Sequence, residues 1–455
     1  MDKYKKLLRA SRLTPMLIAL ACIVGCAEGT RPEATGKGAV RAIHAMVEAP
    51  ELAFLNEEKK IGGVDYRRVL GFQEWDDLEY NFNFDFASPG QTDPTRLATE
   101  FIDVVADMEY TLVITGTIEN PSIMMWEEAK REWTDTDTVY ELDFVHVSPL
   151  LGEVDIYYDA PDIAPVLGNE IGTISNGERI PLTEFPEGQY QLIITAPDDP
   201  STVLFQSSTV IAIPGQRITL LLFDPDPSIT ASIGINAIFS SGENSQLADI
   251  GSPPQVRTMH VAFGTDGFDG YLNNDLENIV FPNVSFGELS SYVDLAETIA
   301  ALTLTAVGDI TQIIKEGEIT RINNSKRSLI LWGSPDELFI RDIQHSARPV
   351  ITYPQIRITN LSSNISMLDL YELEAGTAIN EDVSPNFSGA IAGITTNFVV
   401  ASSGSREFTI TLNGEQNPIS TPVVVDLANG EVVDMVIVDT ADSSMVELVV
   451  FDTIP

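Results

Sequence analysis

Leu142-Asp143-Phe144-Val145-His146, followed closely by Val154-Asp155-Ile156-Tyr157, is the stretch from which the fold can be read. Leu142, Phe144 and His146 alternate with Asp143 and Val145, the period-two pattern of a strand. The pattern recurs as Val40-Arg41-Ala42-Ile43-His44, Val256-Arg257-Thr258-Met259-His260 and Ile356-Arg357-Ile358-Thr359-Asn360. The intervals of 102, 114 and 100 residues are domain-sized, and self-similarity at such spacing marks a repeated unit. A second strand follows each opening one: Leu52-Ala53-Phe54-Leu55, Val154-Asp155-Ile156-Tyr157, Phe268-Asp269-Gly270-Tyr271 and Leu368-Asp369-Leu370-Tyr371. Further alternating strands start at Tyr80, Tyr190, Leu302 and Phe408.

Each repeat then closes with a hairpin and one more strand. In the fourth, Val423-Val424-Val425 leads to Asn429-Gly430, a pair that takes the positive φ angles of a tight hairpin, and on to Val432–Val438 and Met445–Phe451. Pro214-Gly215, Asn323-Asn324 and Asp107 stand at the corresponding places of the other repeats. About seven short strands in roughly 100 residues indicate an all-β chain of tandem antiparallel Ig-like β-sandwich modules. The modules are placed at 40–137, 138–252, 253–353 and 354–455. Ser240–Pro254 and His345–Pro354 read as linkers, and Thr134–Thr138 as a short polar junction. Glu127–Trp133 and Leu289–Ala301 are the only tempting helical runs.

Ahead of the repeats lies a different kind of segment. Lys3, Lys5, Lys6, Arg9 and Arg12 precede a mostly apolar stretch from Leu13 to Gly25, the layout of a signal peptide over residues 1–25. As a helix that stretch would reach only about 20 Å, too short for a bilayer core of roughly 30 Å. It ends Ile23-Val24-Gly25-Cys26, which resembles the bacterial lipobox. The resemblance implies cleavage before Cys26, lipidation of that cysteine, and a lipidated tether over 26–39. Cys22 would leave with the signal, so no intramolecular disulfide could form. Ala27, where an aspartate would favour inner-membrane retention, implies the outer membrane by the same analogy. The expected setting is therefore the cell envelope, with the chain facing the periplasm or the surface.

Net charge narrows the partners. The whole chain carries −41, and loss of the signal would leave about −45. Such a surface repels phosphate backbones and anionic headgroups, so nucleic acid is excluded as a partner, and the membrane is reached through the lipid.

Leu142 to Pro149, with the Val-Asp-Ile-Tyr strand after it, resembles the opening of the bacterial domain-of-unknown-function family 4397. Modules of that family begin with a strand ending in a His-Ala-Ser-Pro-like turn, then a Val-Asp-Val-Tyr-like strand. The second module carries the resemblance best. Ala53 stands in place of the second-strand Asp in the first, Phe263-Gly264 replaces Ser-Pro in the third, and Asn360-Leu361-Ser362 replaces His-Ala-Ser in the fourth. The resemblance implies a β-sandwich and an envelope setting; it implies no activity.

His44, His146 and His260 occupy one repeated position, shared by Asn360. Each ends an apolar stripe, so the expected role is a buried side chain bonded to the following turn, which an amide can also fill. A zinc site would need three or four converging ligands, and a module offers one such histidine. His345 falls in a linker and reads as solvated. No hydrolase elbow, metalloprotease helix, phosphate loop or dinucleotide fingerprint occurs. No catalytic or cofactor-binding residue is assigned. Calcium is the more plausible ion, with Asp135-Thr136-Asp137, Asp224-Pro225-Asp226 and Asp266 to Asp275 as candidate carboxylates. Trp75, Trp126, Trp133 and Trp332 read as core or near-core residues. The expectation is a non-catalytic, lipid-anchored array presenting modules to an envelope protein or glycan. The alternatives are a glycan-binding or calcium-assisted adhesin, and an envelope hydrolase using paired carboxylates.

Overall fold

The computed structural model describes residues 33–225, 227–296, 299–320, 324–345 and 347–452. The signal segment and Cys26 lie outside the described residues. Within them the protein is all β, and no helix long and apolar enough to cross a membrane occurs.

The first module sets the plan. Its strands are β1 (Lys37–His44), β2 (Leu52–Asn56), β3 (Lys59–Val64), β4 (Val69–Asp76), β5 (Glu79–Phe86), β6 (Thr95–Asp103), β7 (Met108–Gly116) and β8 (Pro121–Ala129). They form two sheets, in the orders β4-β1-β7-β8 and β3-β2-β5-β6. Alternation puts Val40 and Ala42 of β1 and Leu112 of β7 on the inner face, against Phe54 of β2 and Phe82 and Phe84 of β5. Their burial between two sheets is the sandwich core. The plan recurs three times, each copy with its own core. Val139–His146, Gln255–His260 and Gln355–Asn360 replace β1, while Arg217–Phe223, Lys326–Ser334 and Val432–Asp439 replace β7.

One pairing departs from the antiparallel expectation. β1 runs parallel to β7, with Val40 opposite Tyr110 and His44 opposite Ile114, and the same parallel pair occurs in every module. The turns before these strands are therefore not hairpin turns. Val423–Leu427 pairs with Gly404–Leu412 in one sheet, whereas Val432–Asp439 belongs to the other. Asn429-Gly430, with Gly430 at φ 89°, carries the chain across the sandwich. Asp107 (φ 60°), Gly215 (φ 78°) and Asn324 (φ 58°) serve the corresponding crossings; Asn323 lies outside the described residues.

The outer faces of the parallel strands explain why their sequences are unbroken apolar runs, as expected of strands buried on both sides. Ile43 and Val113 of the first module pack against Val145, Leu221 and Phe223 of the second. Met259 and Ile330 of the third pack against Leu361, Val436 and Val438 of the fourth. Each such side chain contributes roughly 1.5–3 kcal/mol relative to exposure. The four sandwiches are thus joined face to face as two pairs, first with second and third with fourth.

Other expectations are corrected at the joints. Glu127–Trp133 begins within β8, and Leu289–Ala301 contains the strand Val293–Asp294 and the start of Ile299–Ala306. Pairing with neighbouring strands decides both: Glu127–Ala129 lies opposite Met108–Tyr110, and Val293–Asp294 opposite Gln255–Val256. Part of the supposed linker Ser240–Pro254 is the strand Asn244–Leu247, which extends the second module's sheet. His345 is not solvated: it is 4% exposed and its Nε2 lies 2.8 Å from Ser328 Oγ, because the connector runs through the third–fourth interface.

Candidate functional site

The residues that define the repeat are all tied into the backbone. His44 Nε2 donates to the Pro50 carbonyl (2.9 Å) and its Nδ1 accepts from Met46 N–H (3.1 Å). His146 does the same with Gly152 and Ser148, and His260 with Asp266 and Ala262. Asn360 reproduces the arrangement, its Oδ1 accepting from Ser362 N–H (3.0 Å) and its Nδ2 donating to the Ala390 carbonyl (3.0 Å). Burial pushes the His44 imidazole down to about 4 and lowers His146 and His260 as well, so these rings are neutral.

The second-strand aspartate is a clamp on a hairpin. Asp269 accepts from Asn283 N–H and Gly308 N–H, both at 2.8 Å; Asp369 accepts from Gly389 N–H (2.7 Å), Gly414 N–H (2.8 Å) and Asn413 Nδ2 (2.8 Å). Asp155 binds Thr173 Oγ1 and Asp198 N–H. Burial alone would raise the Asp369 carboxyl, but these donors hold it below the usual carboxylate range. The motif serine has an equally structural partner. Ser148 Oγ donates to Asp224, and Ser362 Oγ to Asp439 (2.6 Å), fastening the first turn to the end of the parallel strand.

Ser148, His146 and Asp224 are close together, yet they are not connected as a nucleophile and its base. In that arrangement the serine hydroxyl would donate to the imidazole, which would donate to the carboxylate. Here the serine donates to the carboxylate, and His146 Nε2 faces a backbone carbonyl.

The calcium candidates are likewise engaged in turns. Asp137 accepts from Thr134 N–H (2.6 Å), Asp224 from Leu150 N–H (3.1 Å), and Asp275 from Glu277 N–H and Asn278 Nδ2. Asp226 lies outside the described residues. Among the described residues no group of three or more His, Cys, Asp or Glu side chains comes together to hold a metal ion. Trp75 packs against the first core, Trp126 and Trp332 against the two inter-module clusters, and Trp133 beneath the Arg131 guanidinium at 3.9 Å.

The sequence reading missed a cleft of about 470 Å³ where the first module, the second module and the connector before the fourth meet. Arg67 and Arg68, in the turn between β3 and β4, line it together with Arg348 of the connector. Arg67 Nη2 donates to Gln246 Oε1 (2.9 Å) and Arg68 Nη1 to Asn244 Oδ1 (3.1 Å), both acceptors belonging to the second module. Arg348 donates to the Val47 carbonyl (2.6 Å) and Asp65 (3.0 Å). The guanidinium carbons of Arg348 and Arg67 stand 5.0 and 5.5 Å from the ring centre of Tyr66. The available signal was Asp65-Tyr66-Arg67-Arg68, consecutive arginines in a strongly acidic chain.

A family model described as domain of unknown function (DUF4397) matches residues 38–157 and 254–371. Each match covers one whole sandwich, then the opening strand and part of the second strand of the sandwich packed on it. The second module, whose opening motif carries the resemblance best, contributes only that opening to the first match. No curated protein matches the chain. With matches over more than half of its length, the chain belongs to the DUF4397 family.

Proposed function

We propose that this protein is a non-catalytic, lipid-anchored component of the bacterial cell envelope that presents paired β-sandwiches to a partner. The observation that carries the non-catalytic reading is the fate of the motif residues: histidine, aspartate and serine are spent on holding turns. The anchoring rests on the sequence from Lys3 to Cys26, and the outer-membrane destination on Ala27. Welded pairs make stiff spacers, which suits display at a distance from the membrane. Fractionation of cells expressing Cys26→Ala is the test. Release from the membrane fraction supports the anchor, and unchanged partitioning overturns it.

A further inference from the structure

We propose that the cleft lined by Arg67, Arg68 and Arg348 is a binding site for an oxyanion group, a phosphate or a carboxylate. The same turn is built differently in the first module than in the other three. Arg67 N–H donates to the His44 carbonyl at 2.8 Å; in the other modules the corresponding donors are Gly177 to His146, Gly287 to His260 and Gly393 to Asn360, at 2.7–2.8 Å. All four residues have positive φ: 58° at Arg67, and 84°, 80° and 75° at the glycines. Three modules thus use the residue that tolerates a left-handed backbone without strain, and the first does not. The next residue changes as well. Glu178 and Glu288 fold their carboxylates back onto the N–H of Ser175 and Ser285, whereas the first module has Arg68.

A turn that is Gly-Glu in two modules is therefore Arg-Arg in the only one of the four that faces this cleft. The turn itself closes on glycine in the other three modules, although Arg67 and Arg68 also reach Gln246 and Asn244 of the second module. The module 2 contacts of Asn236 and Asn244 are made to the Arg67 carbonyl, which a glycine would supply equally well. Arg348 adds a third guanidinium from a distant part of the chain, and its side chain is 11% exposed. Guanidinium groups bind phosphate and carboxylate oxygens in a fixed fork, and the three here outnumber the two carboxylates that line the same cleft, Glu51 and Asp65, the latter taken up by Arg348.

The test is calorimetric titration of the full-length protein, purified in a non-ionic detergent, with inorganic phosphate and separately with glucuronate. Saturable binding of phosphate supports the proposal and assigns a phosphate group; binding of glucuronate alone supports it and assigns a sugar-borne carboxylate. Arg67→Gly should weaken either by about tenfold, the loss of one charge-assisted hydrogen bond, while Tm stays level or rises. Arg68→Glu, which restores the residue of two other modules, should abolish binding. The proposal is overturned if neither probe binds, if Arg67→Gly binds as the unaltered protein does, or if Arg67→Gly lowers Tm. The last result would mean that the arginine is kept for docking the modules.

Discussion

The two sandwich pairs share a plan but bury charge differently. Three residues before each motif histidine or asparagine, the outer face carries Arg41 and Asp143 in the first pair, and Arg257 and Arg357 in the second; all are at most 6% exposed. In the first pair Arg41 bonds the hydroxyls of Thr111 and Thr219, and Asp143 is met by Arg179 (2.7 Å), which also reaches Glu128. Arg217 joins Glu109 and Glu141 nearby, so the charges there are many and mutually redundant. In the second pair Asp434 makes a two-bond fork with Arg357 and lies in the field of Arg257, whose Nε donates to Ser328 Oγ. His345 lies 3.8 Å from Asp434, and burial, assisted by Arg257 and Arg357, pushes its imidazole down to about 3. One fold thus tolerates either a dispersed network or a fork centred on one carboxylate, and the latter is the more fragile because more of its charge balance rests on a single residue.

The largest expected effect follows from that difference. Asp434→Ala leaves the buried Arg357 without the carboxylate it forks and should cost about 3–5 kcal/mol, whereas Asp143→Ala, with Glu128 still holding Arg179, should cost about 1–3 kcal/mol. Urea unfolding of the two variants measures the gap; equal losses would erase the distinction between the pairs.

Next in size is the hairpin clamp. Asp369→Ala takes the acceptor from the N–H groups of Gly389 and Gly414 and from Asn413 Nδ2 and should cost about 1–3 kcal/mol in the fourth module. The first module already has Ala53 at this place, so its loop between β5 and β6 is not clamped in this way. Hydrogen exchange should therefore show Gly389 and Gly414 losing protection in the variant.

A smaller effect separates His44 from its amide counterpart Asn360. The folded His44 has its pKa near 4, below the ordinary 6.5, so the unfolded chain takes up the proton first. The stability tied to the neutral ring is complete above pH 6.5 and is lost as the pH falls toward 4. His44→Asn should cost about 1 kcal/mol at pH 7 and flatten the stability profile between pH 6.5 and 4, as read from urea midpoints at successive pH values. A slope unchanged from the parent would show that His44 does not set it.

The smallest expected effect is that of Arg67→Gly on folding itself. Relief of the left-handed backbone should leave stability level or raise it by up to about 1 kcal/mol, measurable by thermal unfolding.

The sandwich plan was legible in the sequence because one face of each opening strand is core and the other is not. Val40, Ala42 and His44 against Arg41 and Ile43 give a pattern that physics translates directly into a strand. The pairing of modules was not read, although its mark was present: Leu220-Leu221-Leu222-Phe223 and Met435-Val436-Ile437-Val438 are apolar on both faces, which a sandwich with one solvated side would not require. The crossing turns were taken for hairpins because Asn429-Gly430 satisfies the same φ requirement in either role. The cleft was invisible for a different reason. Arg67 follows its motif histidine by 23 residues, whereas Gly177, Gly287 and Gly393 follow theirs by 31, 27 and 33, so no fixed spacing aligns them. Their equivalence appears only through the shared hydrogen bond.

Face-to-face welding of the sandwiches is most directly tested by thiol labelling at the buried outer faces. In a cysteine-free background (Cys22→Ala, Cys26→Ala), single cysteines replace Val113, Val436 and, as an exposed control, Val105. Welded pairs should leave the first two protected until the protein unfolds, with the control labelled at once. Immediate labelling of all three in the folded protein would mean that the modules are independent sandwiches, and the paired architecture would have to be abandoned.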